Sequence, residues 1–152
     1  MIQSLIDSAL ILEALAATSK QEAIDEILTA STEAGRVTKA NAAKVRDKIV
    51  EREARGSTGI GNGVAVPHVK LDTIEDTAIV LARSPDGIEY EAIDGRPVHT
   101  VFLILAPADA AEEHLQLLRW ISGLARNADF RRFLGQAKDE AEIRDLLREM
   151  AP

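Results

Sequence analysis

Apolar residues recur along this chain first at helical spacing, then in short strand-like runs, then at helical spacing again. Ala23, Ile24, Ile27 and Leu28 fall at i, i+1, i+4 and i+5, one face of a helix. Thr18-Ser19 followed by Glu22 is a capping box at its start, and the helix should end near Gly35. A second helix is expected from Thr38 to Arg55, with Ala42, Val45, Ile49 and Val50 inward and Lys44, Lys48, Glu51 and Arg55 outward. Arg52 lies seven residues after Val45, which puts it on or beside the buried stripe. Before these helices, Leu5, Ile6, Leu10, Ile11, Leu12 and Leu15 read as a helical turn at 4–8 and a strand at 9–12.

Beyond residue 56 the pattern shortens. Val64–Val66 reads as a strand that Pro67 ends, and Thr77–Ala82 as a buried strand. Ser84-Pro85-Asp86-Gly87 is turn chemistry, so Ile88–Tyr90 is expected to pair back as a hairpin. A-I-D-G-R-P at 92–97 holds a second turn signal. Val98–Leu105 is almost continuously apolar, as a central strand covered on both faces should be. Asp109 and Glu112 read as the N-cap and N3 of a helix to about Arg126, with Leu115, Leu118, Ile121, Ser122 and Ala125 on its inner side. A short helix at 129–134 and a last one capped by Asp139, with Ile143, Leu146 and Leu147 inward, complete the chain. Helices on both sides of a few strands predict an α/β fold: a single-domain sandwich of a mixed β-sheet flanked by helices, over residues 1–152.

Composition narrows the chemistry. The chain has no cysteine, which excludes disulfides, thiolate catalysis and Cys-ligated zinc. Its net charge of −7 and 3% aromatic content argue against a nucleic-acid footprint; the acidic surface suits a basic protein partner, or equally serves only to keep the domain in solution. No apolar run approaches the ~20 residues that span a bilayer, and the N-terminus lacks the basic segment of a secretory signal. A cytoplasmic protein is expected.

The chemistry-bearing stretch is Glu51–Lys70, E-R-E-A-R-G-S-T-G-I-G-N-G-V-A-V-P-H-V-K, where four of the nine glycines fall within eight residues. It is not a P-loop, because no Gly-Lys-Ser/Thr follows, and the order helix, glycines, strand is the reverse of a nucleotide site. What remains is a loop with backbone N–H groups and the hydroxyls of Ser57 and Thr58, able to form an anion nest. His68 follows directly. Taken alone, a histidine at a strand end is more often structural than catalytic, but Pro67 presets the strand exit, the loop offers anion-binding groups, and Arg52 adds a permanent cation. A neutral imidazole in that setting suits a nucleophile toward phosphorus. His114, in the first turns of the 109–126 helix, is either a donor to the same phosphoryl group or a surface helix residue. His99 has no companion signal and is read as structural. No His spacing typical of a metal site is present, and neither a metal nor another cofactor is expected.

R-E-A-R-G-S-T-G-I-G-N-G-V-A-V-P-H resembles the signature of the type 2 enzyme IIA domains of the bacterial phosphoenolpyruvate:sugar phosphotransferase system. That group includes the fructose- and mannitol-specific domains and the nitrogen-regulatory enzyme IIA. The likeness continues through A-I-D-G-R-P-V, the long apolar strand, A-P-A-D and His114-Leu115, and covers essentially the whole chain. It implies the family's mixed-sheet sandwich and a phosphohistidine carrier. His68 matches the residue that accepts a phosphoryl group from phospho-HPr through Nε2, its other ring nitrogen being held by a backbone carbonyl. Arg52 and His114 match residues lining that site, and Gly56, Ser57 and Thr58 match the loop beside it.

By the same resemblance the donor is HPr or its nitrogen-branch counterpart, and the acceptor an enzyme IIB cysteine or a regulatory target. The 152 residues hold no fused transporter, enzyme IIB or HPr segment, which favours the nitrogen-type regulatory reading over a sugar-specific one. A regulatory binding module, in which the charge on His68 is itself the signal, is the reading from a different class.

Overall fold

A computed structural model describes residues 1–152. Six helices and six strands follow in the order α1 (Ile2–Ser8), β1 (Leu10–Leu12), α2 (Lys20–Glu33), α3 (Ala42–Ala54), β2 (Gly59–Gly61), β3 (Val64–Ala65), β4 (His68–Leu71), β5 (Ala78–Ile88), β6 (Val98–Pro107), α4 (Ala111–Arg126), α5 (Ala128–Gln136) and α6 (Glu140–Met150). They build one mixed sheet in the order β1-β5-β6-β3-β2, with β4 also paired to β6.

β6 organises the sheet. β5 runs antiparallel along one edge, and β3 and then β4 run parallel along the other. Its side chains alternate between the two faces. Val101, Leu103 and Leu105 join α2 and α3 in one apolar cluster, while Phe102 and Ile104 join α1, α4, α5 and α6 in a second. Two covered faces explain why this strand reads as continuously apolar. The mixed-sheet sandwich expected from the pattern is the architecture observed.

Several local expectations hold for stated reasons. Ser19 Oγ accepts from the Glu22 N–H at 3.3 Å and donates to Glu22 Oε1 at 2.8 Å, opening α2. Asp139 Oδ1 accepts from the Glu142 N–H at 3.0 Å and opens α6.

Others differ. Helix α3 begins at Ala42 and not Thr38, because the Thr38 hydroxyl accepts from the Asn41 N–H at 3.2 Å and closes a turn there. Ala110 and not Asp109 is the N-cap of α4, with no side-chain cap. The inner face of α4 is His114, Leu117, Ile121, Leu124 and Ala125, whereas Leu115 is 43% exposed. Ser84–Gly87 does not reverse the chain into a hairpin. Arg83 pairs with Thr100 and Ile88 with Val98, so residues 84–87 bulge out of a single strand, β5.

The glycine loop is also more regular than expected. Gly59–Gly61 pairs antiparallel with β3 through an Asn62-Gly63 turn whose φ angles, 57° and 75°, are both positive, as a two-residue hairpin requires. Asp94, from the 92–97 turn, accepts from the Asn62 N–H at 3.1 Å and pins this hairpin.

Candidate active site at His68

Proline makes the site possible. β3 pairs with β6 as far as Ala65↔Val101, and β4 resumes at His68↔Ile104. Pro67, without an N–H, cannot donate to the ladder between them, although its carbonyl accepts from the Ile104 N–H at 3.0 Å. At that break Val66 O lies 2.8 Å from His68 Nδ1. A carbonyl only accepts, so Nδ1 carries the proton and the neutral ring keeps its lone pair on Nε2. No protein group pairs with that Nε2, and the ring is half-buried.

Alternation along β4 sends Val69 and Leu71 into the cluster with α2 and α3. His68 and Lys70 therefore face the α4 side. There the His114 ring meets His68 edge-on, centroids 5.1 Å apart at 70°. His114 is 4% exposed, and its Nε2 is buried with no hydrogen-bond partner. Burial, then the proximity of His68 and Lys70, pushes its pKa down to about 4, so the ring is neutral at pH 7. Of the alternatives open for His114, the surface residue is set aside. The apolar phase 117, 121, 124 includes position 114, but a polar residue there carries no apolar signal.

Behind His68, on the α3 side, stands a second polar group that the sequence reading missed. Glu53, 9% exposed, follows Val45 and Ile49 at i+4 spacing on the inner face of α3. Its Oε1 accepts from the Thr58 N–H at 3.1 Å and pairs with Lys20 Nζ at 3.2 Å, and its Oε2 accepts from the Thr58 hydroxyl. Tyr90 OH lies 3.1 Å from Thr58 Oγ1, and Lys20 Nζ sits 4.9 Å over the Tyr90 ring. Burial first, and then the charge of Glu53, raises the Tyr90 pKa. Thr58 O in turn accepts from the Val66 N–H at 2.9 Å. Glu53, Thr58, Val66 and His68 thus form one hydrogen-bonded line from the α3 side of the sheet to the imidazole.

This arrangement changes the role of the glycine loop. Thr58 is buried with both donors on Glu53, and Ser57 Oγ donates to Tyr90 O at 3.2 Å while accepting from the Gly59 N–H at 3.0 Å. The hydroxyls expected to meet an anion are turned inward, where the buried carboxylate and the Tyr90 carbonyl hold them. The Gly56 N–H is bound to Glu53 O, so of the three residues only Ser57 keeps a backbone N–H without a partner. Arg52 lies at the C-terminal end of α3 and donates from Nη1 to Gly56 O at 2.7 Å rather than to either imidazole. No three His, Cys, Asp or Glu side chains come together in a way that could hold a metal ion.

An imidazole with one nitrogen tied to a carbonyl and the other free, beside a second imidazole with an unpartnered nitrogen, is suited to receive a group on Nε2. Comparison with known proteins gives the family. The family model described as phosphoenolpyruvate-dependent sugar phosphotransferase system, EIIA 2, matches residues 4–150. A nitrogen regulatory protein of Bradyrhizobium diazoefficiens is 36% identical over 146 residues, 96% of this chain and 94% of that one. The fructose-specific EIIABC component of Bacillus subtilis is 39% identical over 128 residues, which are 84% of this chain and 20% of that longer protein. The crystal structure of nitrogen regulatory protein IIA-Ntr from Neisseria meningitidis superposes with a TM-score of 0.84 over 96% of this chain and 98% of that one, at 28% identity. The chain belongs to the type 2 EIIA family of the phosphotransferase system. No helix in it is long and apolar enough to cross a membrane.

Proposed function

We propose that the chain acts in the cytoplasm as a phosphohistidine carrier of nitrogen-regulatory type, a single EIIA unit over residues 1–152. HPr or a nitrogen-branch HPr-like protein supplies the phosphoryl group from its own phosphohistidine. The Nε2 lone pair of His68 attacks phosphorus, the P–N bond of the donor breaks, and its electrons return to the donor ring. The Nδ1 proton of His68 stays on Nδ1, donated to Val66 O, throughout. The observation that carries this reading is the pairing of that fixed tautomer with the orphaned Nε2 of His114 beside it. In its Nε2–H tautomer His114 donates to the transferred group. Arg52 supplies positive charge at the loop, Gly56 and Ser57 border it, and Thr58 acts from behind, through Val66.

The near-complete mutual coverage with the Bradyrhizobium nitrogen regulatory protein favours a regulatory target as acceptor. The second reading, a sugar-specific EIIA that passes the group to an enzyme IIB cysteine, draws on the likeness to the fructose-specific EIIABC component. Incubation with phosphoenolpyruvate, enzyme I and HPr or its nitrogen-branch counterpart tests the carrier. Intact mass should show one acid-labile phosphoryl adduct on wild type and none on His68→Ala. An adduct that survives in His68→Ala, or none on wild type with either donor, removes His68 as acceptor. Transfer onward to a fructose-type enzyme IIB would select the sugar-specific reading.

A further inference from the structure

We infer that the cleft around His99 is a second binding site, for a small molecule that carries a phosphate or carboxylate group. The bulge in β5 creates it. Residues 84–87 stand out of the sheet opposite His99, between the Arg83↔Thr100 and Ile88↔Val98 pairs. The resulting cleft, about 420 Å³, is of small-molecule size and is lined by Asn62, Arg83, Ser84, His99, Thr100 and Arg131 among others.

Its electrostatics run counter to the net charge of the chain. The net charge is −7, yet no carboxylate lines the cleft, whereas two guanidinium groups and an imidazole do. Arg131 is partly buried and makes no side-chain hydrogen bond or ion pair. The other partly buried arginines, at 46, 52, 83 and 144, all have partners. Arg83 is held by backbone alone. Its Nε donates to Glu13 O at 2.9 Å, and its Nη1 donates to Leu134 O at 2.9 Å and Ala137 O at 2.6 Å. Three carbonyls fix its position without neutralising it. A partly desolvated positive charge with no counter-ion is unfavourable until an anion arrives.

His99 is oriented for the same use. Its Nδ1–H donates to Ser84 O at 2.9 Å, which leaves Nε2 without a protein partner. Gly87 gives the ring its space. With φ of +90°, a Cβ there would stand 3.1 Å from His99 Cε1 and 3.0 Å from Pro97 Cβ. The cleft is separate from the phosphoryl site, since Thr100 is opposite Val64 and His68 is opposite Ile104, four residues or roughly 13 Å further along β6. The proposal stands whether or not His68 carries a phosphoryl group.

Titration with inorganic phosphate, a hexose monophosphate and succinate tests it, followed by calorimetry and by amide ¹H–¹⁵N shifts. At least one probe should bind saturably at millimolar concentration or below, moving the signals of Ser84, Gly87, His99 and Thr100. Which probe binds distinguishes a phosphate ligand from a carboxylate one. Arg131→Ala and His99→Gln should each weaken binding about tenfold or more, and His68→Ala should leave it unchanged. Arg131→Gln replaces either variant that fails to fold. The site is overturned if no probe shows saturable shifts at millimolar concentration, or if binding survives Arg131→Ala and vanishes in His68→Ala.

Discussion

Glu53 and His114 are both buried ionisable side chains, on opposite faces of the same sheet, and they are treated in opposite ways. Both oxygens of Glu53 are occupied, by Thr58 twice and by Lys20. His114 has a buried Nε2 with nothing on it. A buried polar group whose partners all come from its own chain contributes to architecture. One left open carries a desolvation penalty that a bound group can remove. The Glu53 side of the sheet holds His68 in place, and the His114 side is where a transferred group would sit.

Glu53→Ala breaks this contrast most severely. It leaves the Thr58 N–H and hydroxyl without their acceptor and Lys20 with only the exposed Glu91 at 3.7 Å, and should lower unfolding free energy by about 3 kcal/mol. Urea unfolding measures it. Glu53→Gln, which keeps acceptor and shape, should cost distinctly less. If the two variants were equally and mildly destabilised, Glu53 would not anchor the loop.

The sequence made the fold legible and half of the site. The glycine signature and the Pro-His pair led to His68 because chemistry and backbone punctuation coincide there. The α/β/α layering followed from the periodicities of α2, β6 and α6. What escaped was polar burial. Glu53 sits on an apolar stripe, 45, 49, 53, and His114 on another, 114, 117, 121, 124, but hydrophobic counting scores both positions as exposed. Asking which polar residues fall in phase with a stripe would have found Glu53 and decided between the two readings of His114. The β5 bulge was misread for a different reason. S-P-D-G specifies a local bend, while the Ile88↔Val98 pairing that keeps the strand running lies beyond it in sequence.

His114→Leu sharpens the comparison from the other side. Removing an orphaned nitrogen in favour of an apolar side chain should leave stability unchanged or raise it by about 1 kcal/mol, while slowing phosphoryl acceptance about a hundredfold. Acid makes the stability difference larger. His114 has a folded pKa of about 4 against an ordinary value near 6.5, so the unfolded chain binds more protons between those values. Stability from this group is therefore present above about pH 6.5 and is lost as pH falls toward 4, by up to about 3 kcal/mol. Carboxylates titrate in the same range, so the measurement is the difference between wild type and His114→Leu. That difference should grow in favour of the variant from pH 7 to pH 4. A constant difference would mean that His114 is not held neutral by burial.

Arg52→Lys is the smallest and the most discriminating change. Arg52 belongs to neither polar group, because its one hydrogen bond caps Gly56 O at the start of the loop. If it serves only as a cap, a lysine ammonium can reach the same carbonyl, and both stability and phosphoryl acceptance should stay close to wild type. If its remaining guanidinium donors contribute to the transition state, a point charge cannot reproduce that fork. Acceptance from phospho-HPr should then fall about tenfold, roughly 1.4 kcal/mol of transition-state stabilisation, with unfolding unchanged. We expect the second outcome. Gly56 O uses a single direction of a five-donor group, and Arg52 is only half-buried, so the rest of the fork remains available at the mouth of the loop.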